Sequence, residues 1–150
     1  MTKPILVLGV GNVLLSDEGI GVHVARRLQS MQLPPHVEVI DGGTGGYELI
    51  GFFSERRKVV IVDCVKADEP PGTIVCATPD QLELQWAASY SAHQSGLYEL
   101  LRQARLLVPP PEILIVGIVP QVHTKPSTNL SETLEGLVDL IASKVLQIAA

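Results

Sequence analysis

Three stretches of this chain are almost purely aliphatic and no longer than one β-strand: ILVLGV at 5–10, VVIVDCV at 59–65 and ILIVGIV at 113–119. Runs without polar alternation are the pattern of strands covered on both faces, and such strands belong to parallel sheets sheathed by helices. The intervening segments supply those helices. Ile20, Val24, Leu28 and Met31 recur at helical spacing and leave Arg26, Arg27 and Gln29 for solvent, before Pro34 and Pro35 end the helix. Val37 to Ile40 reads as a strand closed by Asp41 and the run GGTGG, and Tyr47 to Arg57 as a second helix with Leu49, Ile50 and Phe53 inward.

The rest of the chain fits the same scheme. Thr73 to Thr78 follows the third strand too closely for a helical crossover, which predicts an antiparallel edge strand. Gln94 to Leu107 reads as a helix. In the last helix Asn129 and Glu132 form a capping-box pair ahead of a stripe of Leu134, Leu137, Val138, Ile141 and Val145. The expected architecture is one α/β domain over residues 1–150, a three-layer α/β/α sandwich with a mostly parallel, twisted five-stranded sheet.

Composition narrows the function classes. Sixteen acidic against eleven basic residues leave a formal charge of -5, the wrong sign for phosphate-driven binding of nucleic acid. No stretch reaches the 18 or so uninterrupted apolar residues of a membrane span, and no cleavable leader is visible, so a cytoplasmic protein is expected. Cys64 and Cys76 lie in apolar runs and read as reduced, buried and structural.

In a sheet of this kind the loops at the carboxyl ends of the strands form the site. They carry Asn12, Asp17 and Glu18 after the first strand, Asp41 and Thr44 after the second, Asp63 at the end of the third, and Pro120, Gln121 and His123 after the last. The first loop, GVGNVLLSDEGIG, invites comparison with a dinucleotide fingerprint, but Leu14 stands where a third small residue is needed to let the helix pack closely. Asp17 and Glu18 would also repel a pyrophosphate. A Walker lysine and a Gly-x-Ser-x-Gly elbow are both missing.

Carboxylates there attract a cation, and Glu18, Asp63 and His93 offer an oxygen, oxygen, nitrogen donor set. Asp63 carries the strongest signal, since a charge inside VVIVDCV is costly unless paired, ligated or at the strand's open end. Glu18 reads equally well as a first-turn acid complementing the helix dipole, and His93 as a cap or a surface group. Asp17 reads as the N-cap of the first helix, worth about 1 kcal/mol. The glycines of DGGTGG at 41–46 allow close approach of a ligand, which makes Asp41, Gly42, Gly43 and Thr44 candidate substrate contacts.

Taken in order, LVLGVGNVLLSDEGIGV at 6–22, EVIDGGTGGYEL at 38–49, VIVDCV at 60–65, PGT at 71–73, SAHQSGL at 91–97 and VGIVPQ at 116–121 resemble the hydrogenase maturation proteases along nearly the whole chain. The resemblance implies an endopeptidase that removes the C-terminal extension of a nickel-hydrogenase large-subunit precursor after nickel insertion. It implies Glu18, Asp63 and His93 as the metal-facing and catalytic residues, nickel carried by the substrate rather than held permanently, and no covalent intermediate. The protein would act as a monomer in a transient complex. A metal-binding maturation chaperone without cleavage activity is the other function class these residues allow.

Overall fold

The computed structural model describes residues 2–86, 92–122 and 125–150, with the backbone alone given for 83–86 and 92–95. Its elements are β1 (Ile5–Val10), a 3-10 turn (Ser16–Gly19), α1 (Ile20–Gln29), β2 (Val37–Gly43), a second 3-10 stretch (Gly46–Phe52) and β3 (Lys58–Cys64). There follow β4 (Ile74–Ala77), α2 (Pro79–Trp86), α3 (Ala92–Ala104), β5 (Glu112–Ile118), α4 (Glu132–Glu135) and α5 (Val138–Ala149). The sheet runs β2-β1-β3-β5-β4, parallel except for the β4–β5 pair. That is the expected sandwich, with β4 as the antiparallel edge.

Alternation along the central strands divides the interior into two layers. Ile5, Val7, Val60, Val62, Val116 and Ile118 face one core, shared with α1 and α5. Leu6, Leu8, Val59, Ile61 and Ile115 face the other, shared with Leu49, Phe53 and α3. Asp63 continues the face of Val59 and Ile61 and so points toward the α3 side, whereas Cys64 joins the α1 and α5 core.

Helix α1 lies unusually close to the sheet. A Cβ on Gly21 would sit 2.2 Å from the Val62 carbonyl oxygen and 2.3 Å from that of Val10, so no side chain fits there. The close approach sought at position 14 is therefore supplied by Gly21, while Leu14 is 62% exposed and obstructs nothing.

Four local expectations are corrected. The second helix is the 3-10 stretch Gly46–Phe52; Leu49 and Phe53 are buried as expected, but only seven residues are wound, in a segment broken by Gly46 and Gly51 and ending before Glu55 at φ 66°. Strand β2 continues through Asp41 to Gly43 because β1 keeps pairing with it to Val10. Ser131, not Asn129, caps the helix that follows, its Oγ accepting from the Leu134 N–H at 3.4 Å, and the chain breaks at Gly136 between α4 and α5. Cys76 is exposed, because only one side of β4 is paired and the short edge strand carries it outward.

One buried group gives α1 a pH dependence. The Nε2 atom of His23 is buried and has no hydrogen-bond partner among the described residues. Burial, reinforced by Arg26 and opposed by Glu135 and Asp17, holds the imidazole pKa below its ordinary value. With the folded pKa below the unfolded one of about 6.5, the unfolded chain binds more protons between them. The stability His23 contributes is then complete above about pH 6.5 and is lost as pH falls through the folded pKa. Melting curves between about pH 7.5 and 5 should show a fall that is shallower in His23→Gln; parallel profiles for the two proteins would refute this.

Candidate functional site

A cleft of about 490 Å³ opens at the carboxyl ends of β1 and β3, within the usual size for a ligand or peptide site. Three separated segments place polar groups in it: Asn12 and Glu18 from the loop after β1, Gly43 and Thr44 from the end of β2, and Asp63 with Lys66 from β3 and its exit. Leu97 and Leu100 of α3 form an apolar wall.

Glu18 reaches this cleft because the first loop folds back on itself. Gly11 has a φ of 147°, and a Cβ there would lie 2.1 Å from the Glu18 carbonyl oxygen, so only glycine lets the 3-10 turn close against the strand end. Asn12 shapes the same loop by accepting from the Leu14 N–H through Oδ1 at 3.0 Å. Asp63 is 1% exposed, lines the cleft, and accepts the Cys64 N–H through Oδ1 at 2.7 Å. Two of the three expected metal-facing residues thus line one cleft, as the strand-end rule requires.

His93 stands in the first turn of α3, and its side chain lies outside the described residues, as does the whole of His123. Gly96 and Leu97, three and four residues beyond His93 along the helix, line the cleft. Among the described residues no three His, Cys, Asp or Glu side chains form a metal-binding group.

The candidate substrate contacts divide. Gly43 and Thr44 line the cleft, whereas Asp41 turns to Arg26, whose Nε donates to Oδ2 at 3.1 Å, and accepts the Gly43 N–H through Oδ1 at 3.0 Å. Gly42 sits against Leu8 and Leu49.

Asp17 is not a helix cap. Gly19 precedes α1 without any side-chain cap, and the Asp17 side chain is fully buried and bonded elsewhere. Its Oδ2 accepts the Gln121 and Val122 N–H groups at 2.9 Å and the Ser131 hydroxyl at 2.8 Å, while Oδ1 accepts the Ser131 N–H at 2.8 Å. The same turn is bound again where Ser16 Oγ donates to the Lys125 carbonyl at 2.7 Å and Ser16 N–H to that of Ser127 at 2.9 Å. Asp17 therefore fastens the Glu18 turn to the segment after β5, and Gln121 belongs to that anchor rather than to the cleft lining. Lys66 is a cleft residue that sequence reasoning misses, since it opens the turn KADEPPG; its position three residues beyond Asp63 is the signal that points to it.

Cys64 is unsuited to nucleophilic attack. Burial, with Asp63, Glu18 and Asp17 nearby, pushes its thiol pKa up, away from the thiolate form. Cys64→Ala should keep peptide cleavage, and a thiol reagent should label exposed Cys76 first without loss of activity. Full inactivation of a folded protein carrying both Cys64→Ala and Cys76→Ala would contradict the structural role.

Comparison with known proteins places the chain in a family. The hydrogenase maturation protease family matches residues 22–148. The hydrogenase 2 maturation protease of Escherichia coli (strain K12) is 35% identical over 145 residues, covering 95% of this chain and 88% of the relative. The hydrogenase expression/formation protein HupD of Rhodobacter capsulatus is 33% identical over 150 residues, covering 97% and 71%. The solved structure of the hydrogenase maturating endopeptidase HybD from E. coli superposes with a TM-score of 0.84 at 34% identity, covering 96% of this chain and 90% of that one. This chain belongs to the hydrogenase maturation protease family and is a hydrolase acting on peptide bonds.

Proposed function

We propose that the chain removes the C-terminal extension of a nickel-containing hydrogenase large-subunit precursor, acting in the cytoplasm as a monomer in a transient complex after nickel has been inserted. The nickel arrives as part of the substrate. The observation that carries the reading is the placement of Glu18, from the turn after β1, and Asp63, from the end of the adjacent β3, in one cleft with glycine-rich backbone beside them. The two carboxylates, joined by the imidazole that the resemblance assigns to His93, make an oxygen and nitrogen donor set suited to nickel and leave positions open for ligands from the precursor.

In hydrolysis the oxygen of water bonds to the scissile carbonyl carbon, the amide C–N bond breaks and the departing nitrogen takes a proton. A substrate-borne nickel would supply Lewis-acid polarisation near that bond. Glu18 and Asp63 orient the precursor's metal site against the sheet, and a carboxylate there can accept the water's proton. The resemblance implies no covalent intermediate, and Cys64, buried and held as a thiol, is a poor nucleophile for one. Exposed Leu14 and Tyr47, at 62% and 58%, adjoin the cleft-lining Leu15 and Gly46, an apolar rim suited to a protein substrate.

The test is incubation with nickel-loaded large-subunit precursor and weighing of both products by mass spectrometry. A precursor shortened at its C-terminus, with the released peptide recovered, is the expected result. An intact precursor that stays bound would instead favour the chaperone reading.

A further inference from the structure

We propose that Lys66 is a specificity-determining residue that receives a carboxylate of the precursor as it crosses the cleft, an assignment that rests on the protease reading above. Among the described residues Lys66 is the one basic side chain lining the cleft, opposite in sign to Glu18 and Asp63. No ion pair or hydrogen bond among those residues engages its ammonium group. The other charges among the described cleft residues are negative, so an acidic substrate group finds attraction at Lys66 and repulsion elsewhere.

Position separates this role from the metal-facing one. Asp63 is buried at the floor, whereas Lys66 is exposed three residues further along the chain, a backbone reach of at most about 10 Å. A peptide laid from Asp63 toward solvent meets Lys66 a few residues from the metal-facing carboxylates. The anions of a polypeptide are carboxylates, from Asp or Glu side chains or the chain end, and a lysine binds either as a compact point charge.

The test compares wild type with Lys66→Gln, Lys66→Glu and Lys66→Arg on nickel-loaded precursor, measuring binding of uncut precursor as well as steady-state cleavage. Lys66→Gln should raise Kd and KM about tenfold with kcat within about twofold, the size of one charge-assisted hydrogen bond. Lys66→Arg should restore most of the affinity, and Lys66→Glu should weaken it beyond Lys66→Gln. The wild-type KM should rise with salt more steeply than that of Lys66→Gln. Precursors with acidic residues near the cut neutralised, or with a neutral tail added at the C-terminus, identify which carboxylate is read: the responsible change should weaken wild type and leave Lys66→Gln unaffected. Unchanged binding and KM in Lys66→Gln, or a loss confined to kcat, would overturn the assignment. Failure of the wild type to cleave would count against the protease reading, while the binding comparison would still decide the role of Lys66.

Discussion

Asp63→Asn and Glu18→Gln are each expected to reduce processing of nickel-loaded precursor by at least about a hundredfold while the protein stays folded. The size follows from removing one charged group that faces the reacting bond, where preorganised groups of this kind are worth a factor of about 10²–10³. Folding should survive Asp63→Asn because the amide that replaces the carboxylate keeps a carbonyl oxygen for the Cys64 N–H. It should survive Glu18→Gln because Glu18 is half-buried at the cleft wall, where an amide of the same shape stays solvated. A thermal midpoint within a few degrees of wild type, alongside lost cleavage, separates activity from stability. His93→Ala should join them, since it removes the imidazole that the resemblance assigns as a ligand. Retained cleavage in these three variants would mean the reaction happens elsewhere.

Asp17→Ala should be the opposite case, a stability variant with a large effect. The substitution strips the acceptor from three backbone N–H groups and one hydroxyl in a fully buried place. Each buried donor left unpaired costs about 1–3 kcal/mol, and with partial relaxation the total should reach about 3–5 kcal/mol. In a chain of this size that lowers the melting temperature by about 10 °C. Asp17→Asn should also destabilise, since one acceptor oxygen becomes an NH₂ group facing other donors. Denaturation with urea measures both; a loss of only about 1 kcal/mol for Asp17→Ala would contradict the anchoring role.

The contrast between Asp63 and Asp17 explains what could be read from the sequence. Asp63 interrupts an aliphatic strand, so its cost is visible locally and its place at the strand's carboxyl end follows from parallel topology. Asp17 is decided by Gln121, Val122 and Ser131, over a hundred residues away, and local spacing gives no hint of them. The aliphatic runs likewise decide the sheet, because burial on both faces leaves few alternatives. Helix ends are less legible: Gly46 and Gly51 reduce an apolar helical pattern to a 3-10 stretch, and Asp17 secures Ser131 as the cap in place of Asn129. Lys66 escapes notice because a lysine opening a turn resembles any solvated charge until the neighbouring strands show which way it opens.

The most direct measurement is a side-by-side time course on nickel-loaded and nickel-free precursor, each product weighed by mass spectrometry. Recognition of the substrate's metal by Glu18, Asp63 and His93 predicts clipping of the loaded precursor and negligible clipping of the nickel-free one. Equal rates on the two would contradict it.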